Sequence, residues 1–231
     1  MGYVITPTRD GYVKKLEELI RSEWDSVDVP YQKDAPARPE HCYLNVKDYI
    51  TRKGGHSQTG WLVLKSESVY EAIAHAVVEP EATPDEFIDV TPFDELSGKW
   101  RLFIPDDRTE WLGRPIPSHR LCHTGKTIDM DFVRMCNTLD RIRSKTLYPD
   151  DTNSTIADDP IIDLMERVFI LEKIPKMKER IKLVRPQGRC YCGSGNQYAV
   201  CHSASTNQML QSASDTLDAL ERRITAKTPL G

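Results

Sequence analysis

The sequence predicts an α+β protein: a cysteine-bearing helix on an antiparallel sheet, then a helical region, then a small hairpin of cysteines and a histidine. Three observations lead there. Runs rich in Val, Ile, Phe and Tyr, bounded by turn residues, cluster between residues 60 and 104. From residue 127 onward, apolar residues recur at helical spacing. Between residues 190 and 202, two cysteines separated by one residue are followed by an adjacent Cys-His pair. The expected segments are a core over 1–126, a helical region over 127–185, the hairpin over 186–203 and a C-terminal helix over 204–231.

The composition bounds the function. A chain of 231 residues holds one large domain, or one domain with appendages. With 39% hydrophobic and 29% charged residues, a soluble globular protein is expected. A net charge of −4 argues against direct nucleic-acid binding, which draws on a basic surface. No apolar run approaches the length of a membrane span. Residues 1–10 lack the apolar core of a signal peptide, so a cytoplasmic location is expected.

The elements follow in order. Residues 11–24 read as an amphipathic helix with a stripe of Val13, Leu16, Leu19, Ile20 and Trp24. Residues 25–40 are loop-like, with Pro30, Pro36 and Pro39. A helix then opens at Cys42: Val46, Tyr49 and Ile50 have helical spacing, and Gly54-Gly55 supplies a stop. A helix N-terminus, with its free N–H groups and dipole, favours an anion, whether a thiolate or an oxyanion. Asn45, three residues on, lies on the same side. It is a candidate donor to a substrate carbonyl, or else a solvent-facing residue.

Residues 60–65, 69–79, 86–91 and 99–104 read as strands of one antiparallel sheet. Between the second and third, residues 80–85 form a turn-like linker. His75 and Asp89 are equidistant from Ala82, its middle. A hairpin would therefore place their Cα atoms roughly 5 Å apart. Glu79 competes as a partner for His75, but four residues along one strand span roughly 13 Å. Cys42, His75 and Asp89 thus supply nucleophile, base and orienter in chain order. Residues 99–120 are long enough to fold over that site. His119, Cys122 and His123 lie in a loop-rich stretch and offer a second, weakly patterned metal set.

Beyond residue 127, a helix over 129–145 carries Phe132, Met135, Cys136, Leu139 and Ile142, with Thr127 or Asp129 as cap. Residues 148–159 are loop-like. Pro160 suits the first turn of a helix over 161–174, with Asp158 or Asp159 as cap, and Pro175 is expected to break or kink it. In the hairpin, Cys190, Cys192, Cys201 and His202 flank Gly193 and Gly195, which let the backbone turn back. Three sulfurs and an imidazole suit tetrahedral zinc with no open position, hence a structural ion. In a reducing compartment such a cluster indicates metal rather than disulfides. Residues 207–225 read as a helix with Leu210, Leu217, Leu220 and Ile224 on one side, offering packing onto the body or self-association.

Two resemblances add to this reading. Cys42 opening a helix, Gly54-Gly55, Gly60-Trp61, His75-Ala76-Val77-Val78-Glu79 and Asp89-Val90-Thr91 resemble, in that order, the transglutaminase-like branch of the papain-like cysteine superfamily. Val77 stands where that family usually carries tryptophan, and His41 where a small or aromatic residue is usual. Gln32, ten residues before Cys42, stands at a longer spacing than the upstream oxyanion glutamine of papain-like enzymes. The resemblance implies a Cys-His-Asp thiol hydrolase, deamidase or acyltransferase acting on an amide, ester or thioester in a protein. The stretch 189–202 resembles the SEC-C motif, the zinc hairpin of the bacterial translocase ATPase and many other bacterial proteins. It implies Cys190, Cys192, Cys201 and His202 as zinc ligands and a protein partner. A non-catalytic adaptor, with the papain-like core as scaffold and the zinc hairpin as the docking element, is the alternative.

Overall fold

The structure is a computed structural model. It describes residues 4–5, 8–84, 86–93, 99–111, 115–144, 160–183 and 189–227. The chain is mixed α+β and divides into two compact units. One comprises Met1–Leu112 with Ile116–His123, the other Gly113–Pro115 with Thr124–Gly231.

The first unit contains β1 (Val4–Ile5), α1 (Gly11–Ile20), β2 (Val27–Pro30), α2 (Cys42–Lys53), β3 (His56–Lys65), β4 (Val69–Glu79), β5 (Trp100–Pro105) and β6 (His119–Cys122). Its sheet is antiparallel, in the order β2-β5-β3-β4-β6, and β1 pairs with the end of β3. β3 and β4 form the spine, in register from His56 opposite Glu79 to Lys65 opposite Tyr70. Side chains alternate between the faces. Trp61, Val63, Ala72, Leu102 and Ile104 form a core with Val13, Leu16 and Ile20 of α1. Val77 and Phe103 cluster with Val29 from the other face.

α1 begins where the Asp10 carboxylate accepts the N–H groups of Tyr12 and Val13, and ends at Arg21, which is left-handed at φ 58°. It is therefore shorter than the expected 11–24. Trp24 lies past that stop and is exposed, as is Leu19. Leu19 falls off the stripe because only 13, 16 and 20 share one face at 100° per residue. α2 is buried through Val46 and Tyr49 against Ala76, Val78 and Val90, and closes at Gly54, φ 76°.

Residues 86–91 are not the expected strand. One antiparallel bridge joins Val78 to Ile88, after which Asp89 turns to a parallel bridge with Tyr31. The Asp89 N–H donates to the Pro30 carbonyl at 2.9 Å, and its carbonyl accepts from Gln32 N–H at 2.8 Å. Main-chain groups need partners, and those of Asp89 find them at the last residue of β2 and just past it rather than on β4.

The second unit contains α3 (Thr127–Arg143), α4 (Pro160–Val168), α5 (Ile174–Leu183), α6 (Tyr198–Cys201) and α7 (Ser203–Lys227). α3 starts at Thr127, and no side chain caps it. Asp129 instead accepts a hydrogen bond from the Thr124 hydroxyl at 2.6 Å. The caps expected at Asp158 or Asp159 lie outside the described residues. Pro175 does not break its helix. A π-helical stretch, Phe169–Lys173, joins α4 to α5, and the Ile174 N–H reaches back to the Phe169 carbonyl. The wider π turn shifts the hydrogen-bond register just where proline has no N–H to give. On α7, Leu210, Leu217 and Leu220 are buried.

Candidate active site and candidate metal centre

Cys42 is the first residue of α2 and is 9% exposed. Its N-cap, His41, makes no side-chain capping hydrogen bond, so no side chain of the chain competes for that helix terminus from the cap position. His75 lies inside β4, opposite Gly60 of β3, and is 1% exposed. Its Nε2 is 3.1 Å from Asp89 Oδ1. The Cys42 thiol acts electrostatically on the same imidazole. Burial pushes the His75 ring toward its neutral form. The Asp89 charge and Cys42 outweigh burial and raise it to about 10. The ring is therefore charged at neutral pH. Three separate segments thus bring Cys42, His75 and Asp89 together, through side chains rather than by the facing hairpin the spacing suggested.

Asp89 is tightly held. Oδ1 also accepts the Thr91 N–H at 2.9 Å. The Thr91 hydroxyl accepts from Asn45 Nδ2 at 3.2 Å, which gives the Asp-x-Thr pattern a physical account. Asn45 does not point at solvent: it is buried, and Nδ2 also donates to the Arg38 carbonyl at 2.7 Å. Its Oδ1 accepts the Arg38 N–H at 2.9 Å. Both amide hydrogens are engaged, so Asn45 ties the loop before α2 to the segment carrying Asp89.

Sequence reasoning missed Arg101. It is 1% exposed, and its Nε is 3.4 Å from Asp89 Oδ2. The available signal was an arginine inside a strand buried on both faces after Trp100, where a charge needs a counter-charge. Tyr43 follows Cys42, and its ring stacks on Trp111 with centroids 5.6 Å apart. Burial and the neighbouring Cys42 hold the Tyr43 phenol above the usual tyrosine range.

His119, Cys122 and His123 form no metal-ligating group among the described residues. His119 sits edge-on to Trp61, with centroids 4.6 Å apart, and His123 contacts the rings of Tyr12 and Tyr70. They serve the packing of β6.

In the second unit, Cys190, Cys192, Cys201 and His202 form a group able to hold a metal ion, with all four ligand atoms within 4.8 Å of one another. Cys190 Sγ is 2.9 Å from His202 Nδ1, and Cys192 Sγ is 3.6 Å from Cys201 Sγ. The local cause is a hairpin. Arg189 bridges Gln197, and the Cys190 N–H donates to the Asn196 carbonyl at 2.7 Å. Gly193 and Gly195 turn it, both at φ 78°. Burial pushes the Cys190 thiol up, while hydrogen bonds from Ser194 lower Cys192 to about 7. Behind the ligands, Asp131 of α3 is buried and its Oδ2 accepts from Tyr198 Oη at 3.1 Å and Ser203 Oγ at 2.9 Å.

No family model, curated protein or solved structure matches the chain.

Proposed function

We propose that this chain is a cysteine-dependent hydrolase, deamidase or acyltransferase acting on an amide, ester or thioester of a protein substrate, and that it carries a structural zinc module for protein docking. The observation that carries the enzyme reading is the convergence of Cys42, His75 and Asp89. A thiol at a helix N-terminus meets a buried imidazole, which a carboxylate orients at 3.1 Å. The imidazole, raised to about 10, holds a proton at neutral pH that it can give to a leaving group.

In the reaction, Cys42 Sγ attacks the substrate carbonyl carbon and forms a C–S bond. The oxyanion is stabilised by the Cys42 backbone N–H at the helix terminus. On collapse, the bond to the leaving amine, alcohol or thiol breaks, and that group takes its proton from His75. His75 then accepts a proton from the incoming nucleophile, which attacks the thioester and releases Cys42. Water gives hydrolysis, or deamidation of a carboxamide; an amine gives acyl transfer. Asp89 holds the ring throughout, and Thr91 and Asn45 hold Asp89.

Zinc fits the second unit's ligand set. Around a tetrahedral ion with bonds of about 2.3 Å to sulfur, two sulfurs sit roughly 3.8 Å apart. The 3.6 Å between Cys192 and Cys201 is close to that edge. Three thiolates and one imidazole leave no vacant position, so the ion's role is to hold the hairpin.

The burial of the site favours a second reading, a non-catalytic adaptor, since Cys42 is 9% and His75 only 1% exposed. One experiment separates the two: alkylation of Cys42 across a pH series, read by mass spectrometry, with Cys122 and Cys136 as internal controls. For the enzyme, Cys42 reacts well below the ordinary thiol range of about pH 8, and His75→Ala abolishes that advantage. A Cys42 profile matching the controls supports the adaptor.

A further inference from the structure

The three thiols of the hairpin differ in access. Cys192 is exposed, Cys201 is half-buried, and Cys190 is buried at 6%. Cys190 is also pinned. Its N–H donates to the Asn196 carbonyl at 2.7 Å, and its Sγ lies 2.9 Å from His202 Nδ1. The other two sulfurs, Cys192 and Cys201, lie 3.6 Å apart. Ser194 Oγ is 3.5 Å from Cys201 Sγ, so the turn after Cys192 already lies over Cys201. A disulfide places its sulfurs about 2.0 Å apart, so the pair must approach by roughly 1.5 Å. That turn can supply the movement. Gly193 and Gly195 both have φ 78°, and a Cβ at either would meet no atom of the described residues within 4 Å. Cys201, by contrast, is held in α6, whose Tyr198 is anchored on Asp131.

We propose that Cys192 and Cys201 form a redox pair: a hydroperoxide oxidises them to a disulfide, and that bond replaces the zinc ion as the closure of the hairpin. The inference rests on the zinc reading above. The exposed Cys192 sulfur attacks the hydroxyl oxygen of the peroxide. The O–O bond breaks, Cys192 becomes a sulfenic acid, and the other oxygen takes a proton and leaves as water or an alcohol. The Cys201 sulfur then attacks the sulfenic sulfur and forms the S–S bond. The sulfenic hydroxyl leaves as water with the Cys201 proton. The two thiols lose two electrons and two protons, and the peroxide takes them up. Cys190 and His202 then remain, two of the four ligands that a closed tetrahedral site needs. The chain from Cys192 to Cys201 stays tied into a loop by the new bond, so the hairpin outlasts the loss of the ion.

The test treats the zinc-loaded full chain with graded hydrogen peroxide, up to doses that oxidise free glutathione. Zinc content is measured before oxidation, and released zinc, chain mass and disulfide linkage after it. Chymotryptic cleavage after Tyr191 and Tyr198 puts Cys190, Cys192 and Cys201 on separate peptides, so the linkage is read directly. The expected result is full release of the zinc, with the Cys192 peptide joined to the Cys201 peptide of the same chain. Dithiothreitol with added zinc should reverse both changes. Amide hydrogen exchange through α6 should be slower in the oxidised, zinc-free chain than in the reduced chain stripped by a chelator. Retained zinc, a crosslink through Cys190 or between chains, or sulfinic acids in place of the crosslink would overturn the redox pair and leave the zinc reading standing. Equal exchange in the two zinc-free forms would overturn the closure by the disulfide. A chain that holds no zinc before peroxide is added overturns the zinc reading and this inference with it.

Discussion

His75 reaches a protonation state that its burial opposes. An imidazole that is 1% exposed would ordinarily shed its proton, yet the adjacent carboxylate and thiol raise it to about 10. The folded value lies above the ordinary value of 6.5. The stabilisation from this group is thus complete below about pH 6.5 and is lost as pH rises through about 10. Thermal unfolding followed across that window should show wild type losing stability that His75→Gln does not lose. Parallel curves for the two proteins would mean the ring is neutral in the folded state. Under the proposed thiol chemistry, Cys42→Ser removes the nucleophile while conserving volume. Turnover of a protein-linked ester or amide substrate should disappear with the melting curve unchanged, and retained turnover would move the chemistry elsewhere.

β3 and β4 hold this histidine, and Gly60 is the tight point between them. It pairs with His75 on one side and Pro105 on the other. A Cβ there would overlap the Ile104 carbonyl oxygen and the Phe103 ring. Gly60→Ala must push β5 away and should lower stability by about 1–3 kcal/mol, read as a drop in the urea midpoint. An unchanged midpoint would show that β5 yields freely. The neighbouring Trp61 donates its indole N–H to Asp106 at 3.0 Å, so the Gly-Trp pair sets the approach of β5 and ties the loop beyond it. In the second unit α3 plays the corresponding part, with Asp131 holding Tyr198 and Ser203 on either side of the Cys201-His202 pair. Groups that orient metal ligands typically contribute 10–100-fold to affinity. Asp131→Ala should accordingly weaken zinc retention roughly tenfold or more against a competing chelator; unaltered competition would show that the hairpin orients its own ligands.

For the chain as a whole, the Cys42 thiol and the three thiols able to hold a metal fall in different compact units. One zinc ion per chain is the expected stoichiometry. Alkylation of the metal-loaded protein should spare Cys190, Cys192 and Cys201 until a chelator is added. Chelation should then speed amide hydrogen exchange through α6 and the first turns of α7, because so short a hairpin has little core of its own. Equal labelling of these cysteines before and after chelation would argue against a bound ion. Among the described residues no helix is long and apolar enough to cross a membrane.

Local signals were enough for much of this. Helical spacing and Gly54-Gly55 located α2, strand-like residues 69–79 located β4, and the Cys-x-Cys and Cys-His spacing located four groups able to hold a metal, because each feature is written within a few adjacent residues. Three matters depended on distant parts of the chain meeting. Asp89 reaches His75 only because its backbone pairs beyond β2, at Tyr31, and not along β4. Asn45 became a tie between loops because Arg38 and Thr91 claim its amide. Arg101 emerged as Asp89's counter-charge, where the sequence showed only a strand. Short-range pattern reports backbone propensity and the burial of a face. Which buried charge finds which counter-charge is settled by desolvation and packing across the sheet, and those act only in the folded chain.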